Sequence, residues 1–168
     1  NEQIQSVRFV EDRAYVVTFR QIDPLFVIDL SDPTHPTLLG ELKEPGFSSY
    51  LHPVGDHRLL GVGTAGTSRN EPTGAKVTLY DTSDALHPKA VAEIPISGGY
   101  SSAGGDSHAF NWDPERHLAY VPLTLSDPTG FGVTGLAVYR VEGDTITWVG
   151  FLSHRDHAGT SIGPAGVE

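Results

Sequence analysis

Eight histidines stand among 168 residues with no cysteine, so metal binding or proton transfer here falls to imidazole and carboxylate groups. Asp106-Ser107-His108 holds the three residue types of a hydrolytic triad. On an extended segment these neighbours point to alternate faces, so Ser107 and His108 do not meet as nucleophile and base. No Gly-x-Ser-x-Gly sequence opens a helix, and Gly159–Pro164 reads as loop. No catalytic residue is assigned. His35 and His87 occupy matching places in Asp29-Leu30-Ser31-Asp32-Pro33-Thr34-His35-Pro36 and Asp81-Thr82-Ser83-Asp84-Ala85-Leu86-His87-Pro88, where a recurring turn accounts for them. Three polar residues invite more: Arg8, His52 and Asn111 fall at equivalent positions, each between apolar neighbours. Such residues, with Asp106 and His108 nearby, either ligate a metal or an anion or hydrogen-bond to one another through ordered water. The solvated arrangement is the simpler expectation, and no metal and no cofactor is called for. Asp12, Asp56 and Glu115 also recur, as turn formers. No calcium loop or phosphate loop appears.

The elements that would position these residues repeat. Asp12-Arg13-Ala14-Tyr15-Val16-Val17 is echoed at Asp56–Gly61 and at Glu115–Val121. Each copy reads as four short strands rich in Val, Leu, Phe and Tyr, broken by Asp, Ser and Pro turns. They are expected at Gln5–Val10, Arg13–Phe19, Leu25–Leu30 and Thr37–Leu42; at Ser49–His52, Arg58–Val62, Lys76–Tyr80 and Ala90–Ile94; and at Ala109–Trp112, Leu118–Leu123, Gly135–Val141 and Thr145–Leu152. A helix over Ser83–Glu93 is disfavoured by Pro88. Successive four-stranded antiparallel meanders at this spacing predict an all-β protein, a β-propeller segment of about three blades. The blades span 3–45, 46–98 and 105–155, with 156–168 a loop or the start of a further blade. A propeller ring takes about four to eight blades, so the ring is partial or completed by an oligomer. The further blades would come from the same polypeptide or a second copy. The first and last residues have no features of natural termini, which suggests a piece of a longer chain. An unclosed segment should leave an apolar face on the first or third blade.

Composition narrows the partners. Nineteen glycines and twelve prolines favour turns over long helices. A net charge of −10, with lysine only at 43, 76 and 89, argues against nucleic acid or an anionic membrane surface. No apolar run reaches the length of a membrane-spanning segment.

Ser6-Val7-Arg8-Phe9, Asp12–Phe19, Asp23–Pro33, Gly46–Pro53, Asp113–Arg116 and Gly135–Tyr139 together resemble the secreted bacterial and archaeal β-propeller family distantly related to WD repeats. The likeness covers nearly the whole chain, to about residue 155. It implies a place on the outer side of the membrane, in the cell envelope or outside the cell, and implies no activity. Members are longer, so the remaining blades are absent here.

The expected function is that of an extracytoplasmic scaffold binding a protein, peptide or glycan at the channel mouth. Arg8, His52, Asp106, His108 and Asn111 would form its rim. Two long strand-to-strand loops would supply Arg69, Asn70 and Glu71, and Asp127 and Phe131, because loops on a rigid scaffold commonly carry recognition. The alternatives are part of an enzyme, a hydrolase or lyase with a site spanning several blades, or a purely structural assembly module.

Overall fold

The structure is a computed structural model and describes residues 3–19, 23–66, 72–126 and 132–153. Twelve strands form three four-stranded antiparallel sheets, as the repeats predict. Sheet 1 holds β1 (Gln3–Val10), β2 (Arg13–Phe19), β3 (Asp23–Asp29) and β4 (Thr37–Glu44). Sheet 2 holds β5 (Phe47–Gly55), β6 (Arg58–Ala65), β7 (Gly74–Asp81) and β8 (Lys89–Ser97). Sheet 3 holds β9 (Asn111–Asp113), β10 (Leu118–Ser126), β11 (Gly132–Glu142) and β12 (Thr145–Ser153). Each is a meander in chain order, so β1, β5 and β9 form one edge of their sheets and β4, β8 and β12 the other. No α-helix occurs among the described residues, and Ser83–Glu93 ends in strand β8.

The repeated turn has a local cause. After β3, Asp29 Oδ1 accepts the Ser31 N–H at 2.9 Å and Asp32 Oδ1 accepts the Thr34 N–H at 3.0 Å. His35 Nδ1 lies 3.0 Å from Asp32 Oδ2. After β7 the same contacts recur, with Asp81 on Ser83 at 2.9 Å, Asp84 on Leu86 at 3.0 Å and His87 on Asp84 at 3.0 Å. Both histidines are exposed, and these Asx turns explain their recurrence. In sheet 3, Arg140 replaces the first aspartate and the connection contracts to Gly143-Asp144, with Gly143 at φ 57°.

Alternation along the strands gives sheet 2 two buried faces. Tyr15, Val17, Leu25 and Val27 of sheet 1 pack with Leu51, Leu59 and Tyr80 of sheet 2. Leu60, Val62, Val77 and Leu79 on the opposite face join Ala119, Val121, Leu123 and Tyr139 of sheet 3. Each buried aliphatic side chain contributes roughly 1.5–3 kcal/mol. Among the described residues, nothing covers the outward faces of the end sheets. Val7 and Phe9 on β1 are 41% and 67% exposed, and Val149 and Leu152 on β12 are 51% and 65% exposed.

A polar knot also joins the first two sheets. Lys76, fully buried on β7, donates to the Pro45 carbonyl at 2.8 Å and to Glu93 at 3.1 Å, and lies 3.1 Å from Glu44. The Tyr80 hydroxyl donates to Glu44 and lies 2.8 Å from Ser48 Oγ. Burial, followed by the neighbouring Glu44 charge, holds the Tyr80 phenol well above its usual range. This satisfies most of the polar atoms that the sheet-to-sheet contact buries. The equivalent tyrosine of sheet 3, Tyr139, has no such partner: its hydroxyl is buried and unbonded, and burial raises its pKa.

Candidate binding site at the inner strands

Register shows that Arg8, His52 and Asn111 are structurally equivalent. Arg13 pairs with Asp29, Arg58 with Asp81 and Leu118 with Arg140, which aligns the sheets; Arg8 then pairs with Tyr15, His52 with Leu60 and Asn111 with Tyr120. All three lie on the first strand of a sheet. The pleat aims Arg8 towards sheet 2, on the face of Tyr15, and His52 towards sheet 3, on the face of Leu60.

Two of the three meet. Arg8 Nη2 lies 2.8 Å from His52 Nδ1, and the Tyr50 hydroxyl lies 3.0 Å from the same nitrogen. A guanidinium has donors only, so Nδ1 must carry its lone pair and the ring proton sits on Nε2. Burial, followed by the Arg8 charge, depresses the His52 pKa from 6.5 to about 4, which keeps the ring a neutral acceptor. Burial also raises the Tyr50 phenol, and Arg8 opposes that shift. Phe110 closes the far side, its ring centroid 4.8 Å from that of His52 and 5.0 Å from that of Tyr50. The Arg8 guanidinium carbon lies 5.9 Å from the Tyr50 ring centroid, within cation–π range.

Arg8 has no carboxylate partner among the described residues, and its Nε is buried without a hydrogen bond. The cluster is therefore rich in donors and carries one positive charge among aromatic walls. Chemically it can accept an oxyanion.

The remaining expected rim residues stand apart. Asp106 Oδ1 accepts the His108 N–H at 3.0 Å and caps the short 3-10 turn Ser107–Ala109. His108 lies 3.4 Å from Asp106, with side chains 97% and 64% exposed. The segment is a turn rather than an extended strand, so Asp106 and His108 form a local solvent-facing pair. Asn111, at the start of the three-residue β9, is exposed. Arg69, Asn70, Glu71, Asp127 and Phe131 lie outside the described residues, as does 156–168. The strand ends flanking those loops, Ala65 and Gly74, and Ser126 and Gly132, pair at one end of their sheets. Arg8 and His52 lie towards the opposite end, two and three residues from the ends of β1 and β5.

Sequence reading missed Tyr50 and Phe110. Tyr50 was findable: it precedes His52 by two residues, and period-two alternation places both on one face. Phe110 comes from a different sheet, and no local pattern marks it. Also missed was a cavity of about 450 Å³ between the first hairpins of sheets 1 and 2, lined among others by Arg13, Tyr15, Pro53, His57 and Thr82. Among the described residues no group of three His, Asp or Glu side chains is placed to hold a metal ion. No helix among them is long and apolar enough to cross a membrane. Trp112 and Trp148 pack against the core, Trp148 edge-on to Tyr139 at 5.2 Å.

Three consecutive four-stranded meanders, each with its first strand at the same edge, match a known pattern, and the family model for the β-propeller domain matches residues 1–165. The chain belongs to that family. Its three sheets are propeller blades. Blade sequences similar to these occur in "Uncharacterized protein MJ1554" of Methanocaldococcus jannaschii, 41% identical over 121 residues, covering 72% of this chain and 19% of that protein. An uncharacterized protein of Archaeoglobus fulgidus is 41% identical over 122 residues, covering 73% of this chain and 19% of its own length. The chain thus matches about a fifth of the length of these curated relatives.

Proposed function

We propose that this propeller segment is a rigid binding scaffold acting on the outer side of the membrane, with a protein, peptide or glycan recognised at its inner strands. One observation carries the reading: Arg8, Tyr50 and His52 converge from the first strands of two blades with more donors than acceptors. The scaffold suits binding because each side chain projects from a paired strand packed on a neighbouring blade, so little ordering remains to be done when a ligand arrives. The outer location rests on the resemblance to exported propellers. Screening the purified protein against peptide and glycan arrays, beside an Arg8→Gln variant, tests the reading. Retained ligands that Arg8→Gln weakens at least tenfold support it. Ligands bound equally by both proteins would place recognition elsewhere.

The open apolar faces of the first and third blades favour a further role, as part of a larger ring. Further blades of the same polypeptide are the occupants we infer, supported by relatives about five times as long as the matched stretch. Limited proteolysis of a longer product checks this: flanking blades should protect the edge of β4 and the face of β1. Cleavage there at the rate seen for this chain alone would count against it.

A further inference from the structure

We infer that the Arg8–Tyr50–His52 cluster binds a single carboxylate group; this deepens the scaffold reading and rests on it. Charge pairing separates Arg8 from nearly every other described cation. Lys43, Arg58, Lys76, Lys89, Arg116 and Arg140 each lie within 4.0 Å of a carboxylate. Arg13, which has none, donates to the Thr82 carbonyl. Arg8 has only neutral partners, the His52 imidazole and the Tyr50 hydroxyl, in a protein where 21 acidic residues face 11 Lys and Arg. A half-buried cation without its counterion is costly, and a bound anion removes that cost.

The hydrogen-bond count points the same way. His52 Nδ1 offers one in-plane lone pair, yet Arg8 Nη2 approaches it at 2.8 Å and the Tyr50 hydroxyl at 3.0 Å. One of these donors is surplus. The His52 Nε2–H has no acceptor among the described residues, and Arg8 Nε–H has none either. An oxygen placed beside the guanidinium takes the surplus Tyr50 O–H or an Arg8 Nη hydrogen not used on His52, and leaves the Arg8–His52 bond intact. Arg presents its N–H groups in a planar fork that matches the two oxygens of a carboxylate.

Charge sets the class. Arg8 supplies one positive charge and His52 none, while Tyr50 and Phe110 wall the site with rings. A monoanion brings this surrounding to neutrality. A phosphate dianion leaves a net negative charge against aromatic faces in a protein already at −10, at an energetic cost that low local polarity enlarges. The shared chemistry is a carboxylate, from an acidic side chain of a protein or from a uronic-acid sugar.

Protein carrying isotope-labelled histidine is titrated at about pH 8, where inorganic phosphate is mostly the dianion, and at fixed ionic strength, with sodium acetate, N-acetylglutamate amide, galacturonate and inorganic phosphate, and the His52 ring signals are followed. The expected result is a saturable shift with the carboxylates, weaker binding of phosphate, and at least tenfold loss in Arg8→Gln. Arg116→Gln, which alters an exposed ion pair elsewhere, should bind as the parent does. Tyr50→Phe is the second probe should Arg8→Gln fail to fold, and several-fold weakening is expected. Tighter binding of galacturonate would mark a glycan source, and tighter binding of the glutamate derivative a protein source; either supports the site. No saturable shift, an equal shift in Arg8→Gln, or phosphate binding more tightly than acetate would overturn it. Array ligands retained by a protein that shows no saturable shift with acetate would remove the carboxylate site and leave the scaffold. An acetate site on a protein that retains no array ligand would do the reverse.

Discussion

Arg8 and His52 are 44 residues apart in sequence, yet Arg8 Nη2 lies 2.8 Å from His52 Nδ1 across the boundary between the first two blades. The bond exists because both residues hold the same position on the first strand of their blades. It ties the protonation state of His52 to the packing of blade 1 on blade 2.

Acid stability follows from that link. The His52 pKa is lowered from 6.5 to about 4 in the folded protein, so between these values the unfolded chain binds more protons. Its contribution is complete above about pH 6.5 and is lost as pH falls towards 4. Asp81 adds a lower window. Hydrogen bonds from Ser83, aided by Arg58 and Lys89, depress its pKa from 3.8 to about 2, so its stabilisation is complete above pH 3.8 and is lost as pH falls towards 2. Urea unfolding measured across this range should show stability falling through the upper window, and His52→Gln should flatten that fall. A parent curve already flat from pH 6.5 to 4 would refute the linkage.

Lys76 is the most sensitive charged position. Lys76→Ala leaves Glu44, Glu93 and the Pro45 carbonyl without their shared donor, and breaking such a buried pair costs about 3–5 kcal/mol. Denaturant unfolding should show that loss, whereas Lys43→Ala, at an exposed pair, should cost well under about 1 kcal/mol. Similar losses for both variants would contradict the buried knot.

The order of the blades was readable because it is written in local chemistry. Asp29-x-Ser31-Asp32 and Asp81-x-Ser83-Asp84 each close a turn through their own backbone, so the repeat in sequence is a repeat in structure. Strand β8 was legible against a helix because Pro88 stands at its threshold. The site was half legible. Period-two alternation and the repeat located Arg8 and His52, but their contact depends on how one blade rotates onto the next. Asp106 and His108 misled for a local reason: Asp106 caps a 3-10 turn over Ser107–Ala109, so the strand expected at Ala109–Trp112 begins only at Asn111, as β9. Tyr50 shares the face of His52 by strand alternation, whereas Phe110 joins the site through tertiary packing, which strand periodicity does not encode.

Gly63 tests the close approach of the first two strands of blade 2. A Cβ added there would run into the Phe47 carbonyl oxygen and the Ser48 backbone. Gly63→Ala should lower the melting temperature markedly, since the obstruction is main chain that cannot rotate away. Gly143→Asn, at a left-handed turn with open space around it, should be tolerated. Calorimetry on the two variants distinguishes them, and equal melting temperatures would count against the packing described.

Uncovered blade faces predict association. Phe9 and Val7 on one end blade and Leu152 and Val149 on the other are exposed apolar surface, of the kind that seeks a partner. Native mass spectrometry of this chain alone should show concentration-dependent oligomers, reduced by Phe9→Lys. A monomer that stays folded at every concentration would contradict an interrupted ring.

The measurement that bears most directly on the site is the NMR pH titration of the His52 ring, with nitrogen shifts to identify the tautomer. A neutral ring protonated on Nε2, with a midpoint near pH 4, is the predicted result, because Arg8 can only donate to Nδ1. A proton on Nδ1, or a midpoint at or above 6.5, would mean that Arg8 and His52 do not pair and that no donor-rich site exists there.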